Sequence, residues 1–174
     1  MRLLSKSIFV LALLLNQGWA MDQRELTIKG AYLFRLSLFV EWPTNSLDLT
    51  GSEPMLFCVA GEPGISQPLK EVLAGKSINQ HKIEVIGVHL HDDLSSCHLL
   101  YLPEHIQTPQ PFLQAAAPYP VLTIGESAAF YRLGGMVFLF KKNNTIHFAI
   151  NKQAAKEAGL EFRAQLLNLA DQQP

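Results

Sequence analysis

The chain has 174 residues, 48% of them hydrophobic and 17% charged, and its 14 basic and 15 acidic groups leave a net charge of −1. That length and apolar content suit one domain with a real core. The near-neutral balance and the lack of a basic run argue against nucleic acid as a partner.

The first twenty residues, MRLLSKSIFVLALLLNQGWA, read as an export signal. Arg2 and Lys6 form the basic start, Ile8 to Leu15 the apolar run, and Gly18 and Ala20 a small-x-small cleavage site. The run is too short to span a bilayer comfortably; an uncleaved signal anchor is the alternative. No Cys follows it, so a lipoprotein anchor is unsupported. Cleavage after Ala20 leaves a single α/β domain over residues 21–174, with 12 basic and 15 acidic groups and a net charge of −3. No later stretch approaches 18 apolar residues, so the exported protein is expected to be soluble and not itself membrane-spanning.

Arg24 to Val40 is predicted to be a helix, stopped by Pro43 because the residue before proline is pushed out of the α region. Its second half, AYLFRLSLFVEWP, is apolar on most sides, whereas a surface helix needs only one apolar stripe. Phe34 and Leu38 are expected to cover the sheet. Tyr32, Phe39 and Trp42 are then surplus, available to a partner or a second subunit. Thr44 to Glu53 reads as a polar linker.

PMLFCVAG, closed by Gly61, suits a strand buried on both faces. Pro68 to Ala74 is a short helix, begun near Ser66 and ended by Gly75. KIEVIGVHL gives a second strand and HLLYLP, from His98, a third. Phe112 to Ala117 is helical, Pro120 to Gly125 a fourth strand, and Glu126 to Tyr131 a helical turn. Met136 to Phe140 and Thr145 to Asn151 form a hairpin about Asn143-Asn144, since Asn tolerates the positive φ of a type I′ turn. Asn151 can cap a helix that Gly159 ends, and FRAQLLNLA is the last helix. Strands alternating with helices, then a hairpin, imply an α/β fold: a three-layer-like sandwich, mostly parallel with a C-terminal antiparallel hairpin, flanked by helices.

No segment offers a convincing catalytic or cofactor site. VAGEPG lacks the glycines of a phosphate cradle, and Pro63 removes a donor. His89, His91, Asp92 and Asp93, with His98 nearby, are the most metal-like group, but zinc needs three or four converging ligands. Cys58 and Cys97 lie at apolar runs, not in the exposed electropositive setting of a reactive thiolate. In an exported chain an even pair favours a disulfide over a metal site; two buried thiols are the alternative. Asn143-Asn144-Thr145 matches a glycosylation sequon that the turn explains. Gly134-Gly135 reads as backbone needing unusual φ. The pattern points to a binding or regulatory protein, not an enzyme.

Several segments carry a resemblance. They are the helix ending in Phe39-Val40-Glu41-Trp42-Pro43, LFCVAGEP, LAGKSINQHKIEV, SSCHLLYLP, PVLTIGESAAFYRLGGMVFLF and FAINKQAAKEAGLEFRAQLLNLA. In order and spacing, from Ile28 to Ala170, the chain resembles the YfiR family of exported regulatory proteins. The resemblance implies a periplasmic α/β protein without known enzymatic activity or cofactor. It would act as a homodimer that restrains an inner-membrane diguanylate cyclase through the cyclase's periplasmic sensor portion, lowering cyclic-di-GMP and biofilm formation. It also puts Cys58 and Cys97 where the family places a disulfide pair. A second Cys pair, which some members carry near the Gly-Gly hairpin, is missing here. The rival reading is a periplasmic small-ligand or metal-binding protein that feeds a different sensor, such as a histidine kinase.

Overall fold

The computed structural model describes residues 23–44, 46, 51–61 and 63–172. The expected export signal, residues 1–20, lies outside these. α1 spans Gln23–Leu38, followed by β1 (Val40–Glu41), β2 (Met55–Ala60), α2 (Pro63–Leu73), β3 (Ser77–Ile78), β4 (His81–Val88) and β5 (Leu99–Leu102). Then come α3 (Gln110–Ala116), β6 (Leu122–Gly125), α4 (Ala128–Arg132), β7 (Val137–Lys142), β8 (Thr145–Ile150), α5 (Lys152–Glu157), β9 (Glu161–Phe162) and α6 (Ala164–Leu167).

Seven strands form one sheet in the order β3-β4-β2-β5-β6-β7-β8. β4, β2, β5, β6 and β7 run parallel, and the hairpin partner β8 is antiparallel. This is the mostly parallel α/β architecture expected from the sequence. Asn143 and Asn144 both have positive φ (50° and 61°), so the turn between β7 and β8 is the two-residue type that matches strand twist. Asn151 caps α5 by accepting from the Ala154 N–H.

Alternation along the strands builds two cores. Phe57, Val59, Leu99, Tyr101, Leu122, Ile124, Val137 and Leu139 face α1, α2, α5 and α6. Cys58, Ala60, Leu100 and Leu102 face α3 and α4 on the other side. The sheet is therefore the middle layer, and its central strands are buried on both faces, as their unbroken apolar runs require.

Three differences from the sequence reading have local causes. α2 begins at Pro63, five residues before the expected start, because proline at a first helical position loses no bond. Pro68 then sits inside the helix, and its lost hydrogen bond is outweighed by the stripe Ile65, Leu69 and Leu73, all buried at four-residue spacing. The last helix shrinks to Ala164–Leu167 because Glu161–Phe162 instead pairs with Val40–Glu41 as a two-stranded ribbon. A third short strand, Ser77–Ile78, folds back on β4. Among the described residues no helix is long and apolar enough to cross a membrane.

Candidate functional site

α1 buries Leu26, Lys29, Gly30, Leu33, Leu36 and Ser37, one stripe at three- and four-residue spacing. Gly30 is required by close approach to α2: a Cβ there would stand 2.6 Å from Val72 Cγ1. The expectation that Phe34 and Leu38 cover the sheet is thus corrected by one residue of helical phase. Leu38 is 38% exposed, and Phe34 sits at the core margin with the Lys76 ammonium 5.1 Å above its ring.

Tyr32 and Phe39 fall on the side of α1 that faces the sheet edge. The Tyr32 hydroxyl donates to the Ile146 carbonyl at 2.7 Å, and its ring meets Phe148 edge-on with centroids 6.4 Å apart. Between α1, β8 and α6 lies an open, largely apolar groove of about 580 Å³, lined among others by Ile28, Tyr32, Arg35, Phe39, Phe148 and Leu169. Ile28 and Leu169 are 41% and 71% exposed, so the groove presents apolar side chains to solvent. Trp42 is not among its lining residues. Its ring packs partly against the first core, and its buried indole N–H has no acceptor among the described residues. Beside it Glu41 meets Arg163 at 3.2 Å on the surface.

A polar network that no sequence pattern announced lies at the carboxyl ends of β5 and β6, where open α/β sheets commonly place ligands. The buried Lys29 ammonium contacts Glu25 at 2.7 Å and Glu126 at 2.9 Å. Tyr101 donates its phenol to Glu126, as does the Glu104 backbone N–H. Lys141 closes the chain on Glu25 at 2.7 Å. Burial alone would lower the Lys29 ammonium, but Glu25 and Glu126 outweigh it and hold its pKa up. Hydrogen bonds from Lys141 and Lys29 hold the Glu25 carboxyl down. Burial, reinforced by Glu126, pushes the Tyr101 phenol well above its usual range. Lys29, Glu25, Glu126 and Lys141 are thus paired with one another, and the network fastens α1 to the sheet.

Cys58 and Cys97 form a disulfide on the second face, with Cα atoms 5.9 Å apart. The His89–Asp93 stretch is a self-contained turn. Asp92 accepts from the His89 N–H at 2.7 Å. Asp93 accepts from the Ser95 amide and hydroxyl, which hold its carboxyl below its ordinary value. Among the described residues no three His, Cys, Asp or Glu side chains converge on one point. Gly134 has a positive φ of 96°, but Gly135 is needed for a different reason: a Cβ there would come within 2.2 Å of the buried Phe130 ring.

Thr145, His147 and Asp171 also line up, with His147 Nδ1 2.9 Å from Asp171 and Nε2 3.0 Å from the Thr145 hydroxyl. The Thr145 proton, however, is directed to the Lys142 carbonyl at 2.7 Å, so the hydroxyl is not primed as a nucleophile. The trio anchors the C-terminal segment, whose Asp171 N–H also bonds the Phe148 carbonyl at 2.9 Å on the sheet edge. No curated protein matches the chain. A family model described as YfiR/HmsC-like matches residues 26–171, from Leu26 within α1 through α6, and the chain belongs to that family.

Proposed function

We propose that the protein is a periplasmic regulator that binds and restrains an inner-membrane signalling enzyme of diguanylate cyclase type, and so lowers cyclic-di-GMP and biofilm formation. The family match carries this reading. The disulfide suits an oxidising compartment, and the leader with cleavage after Ala20 supplies the route. Restraint requires tighter binding to the partner's inactive conformation than to its active one.

The exposed groove beside α1, which Tyr32 and Phe39 line, is the surface we assign to the partner, with Trp42 kept as a further contact to test; the protein acts as a homodimer. Stoichiometric metal in the purified protein, lost on substituting His89 or His91, would favour the metal-binding alternative instead. Deleting the gene should raise cyclic-di-GMP, and wild-type protein should restore it. Ile28→Asp with Leu169→Asp, both at exposed positions, should leave the fold intact but fail to restore repression. Unchanged cyclic-di-GMP on deletion, with no membrane cyclase or kinase co-purifying, would sink the idea.

A further inference from the structure

Two histidines at the amino-terminal end of the sheet hold Ser46 and Glu53, which lie between β1 and β2. His98, just ahead of β5, accepts the Leu56 N–H at Nδ1 (3.1 Å), and its Nε2 lies 3.1 Å from the Ser46 carbonyl oxygen. An amide N–H can only donate and a carbonyl can only accept, so this pairing assigns the neutral Nε2–H tautomer. Ser46 in turn donates its N–H and its hydroxyl to the Pro43 carbonyl, at 3.0 and 2.6 Å. His98 therefore holds, through a single residue, the Trp42-Pro43 corner that follows β1. The buried His81, first residue of β4, meets the Glu53 carbonyl through Nδ1 at 2.8 Å.

A second proton on His98 goes to Nδ1, which then points an N–H at the N–H of Leu56. Two donors cannot share that bond, so the ring must leave or the Leu56 amide loses its acceptor.

We propose that His98 is an acid-released clasp: neutral, it locks the Pro43–Ser46 turn and the start of β2 to the sheet, and protonated, it lets them go. The surroundings act in the same sense. Burial favours the neutral ring, the Ser46 carbonyl opposes this, His81 adds like charge and Glu53 opposes it, and the net effect holds His98 below its ordinary value of 6.5. With the folded value lowered, the unlocked or unfolded chain binds the proton first as pH falls. The stabilisation is therefore complete above about pH 6.5 and is lost as pH drops through the folded value. This clasp needs no partner and stands independently of the regulatory reading.

The test is hydrogen exchange of the Leu56 amide in the full exported chain at pH 7.5 and 5.5, corrected for intrinsic pH dependence. Its protection should fall by up to about tenfold across that interval. His98→Asn, whose side-chain oxygen can still accept from Leu56 but takes up no proton, should show no such step, while His81→Gln should keep it. Equal loss of protection in wild type and His98→Asn would overturn the proposal. Should that variant not fold, NMR of the wild type decides alone. The His98 ring and the Leu56 amide should titrate together, at a midpoint below that of free histidine. A His98 ring that titrates at the ordinary value while Leu56 stays fixed refutes the clasp.

Discussion

Reducing the Cys58–Cys97 disulfide should destabilise the protein by about 4 kcal/mol. The bridge joins residues 39 positions apart, and cross-linking a loop of that size removes roughly 13 cal/mol/K of entropy from the unfolded chain, about 4 kcal/mol at 25 °C. The folded side loses little on reduction. Both sulfurs lie in the second core beside Leu100, Leu102 and Phe112, where a free Cys packs as a small hydrophobe. In a domain of this size each kcal/mol shifts Tm by roughly 2–4 °C, so complete reduction should lower Tm by about 8–16 °C. The assay compares thermal unfolding of the oxidised protein with protein unfolded in a phosphine reductant and refolded under it. Thiol titration of the unfolded samples should count two thiols after reduction and none before. A reduced protein melting within about 2 °C of the oxidised one would refute the chain-entropy reasoning, and free thiols in the unreduced sample would refute the bridge.

Gly135→Ala drives a methyl into the Phe130 ring, which is fully buried and cannot swing aside; urea unfolding should show a loss of about 1–3 kcal/mol, and an unchanged midpoint contradicts the packing account. Lys29→Met leaves Glu126 buried without its cation and should cost roughly 3–5 kcal/mol. Adding Glu126→Leu should recover part of that loss, and a double variant no more stable than the single would show that the two charges are not coupled. Protein recovered from the periplasm should begin at Met21 by intact mass, whereas a chain retaining residues 1–20 in the membrane would instead make the leader an anchor.

Much of the fold was legible because its signals are local. A continuous apolar run such as MLFCVA marks a strand covered on both faces, and β2 is one. Asn143-Asn144 marks a tight hairpin because few residues tolerate two successive positive φ angles. Asn151 marks a helix start because its side chain can accept an orphan N–H. The β1–β9 ribbon gave no comparable signal: each strand has two residues, and the pairing spans more than a hundred positions. The Lys29–Glu126 contact and the His98 clasp are hidden for the same reason. Glu25 and Lys29 could have been noticed as a helical i, i+4 pair, but nothing local shows that Glu126 lies opposite, or that His98 faces Leu56 and Ser46.

The sequence by itself determined most of the long helices and strands and the hairpin turn, since these follow from periodicity, caps and turn residues within a few positions; the two-residue strands do not. It also set the chemistry at hand: one cysteine pair, paired charges, and a helix with more apolar surface than one face can bury. Only the tertiary structure decided how α1 is turned. With apolar residues on nearly all sides, its local pattern is compatible with several rotations about the axis. The choice came from contacts distant in sequence: Gly30 against Val72, Lys29 against Glu126, and Tyr32 against Ile146. Those contacts sent Leu33 and Leu36 into the core, left Leu38 exposed, and turned Tyr32 and Phe39 toward the groove at the sheet edge.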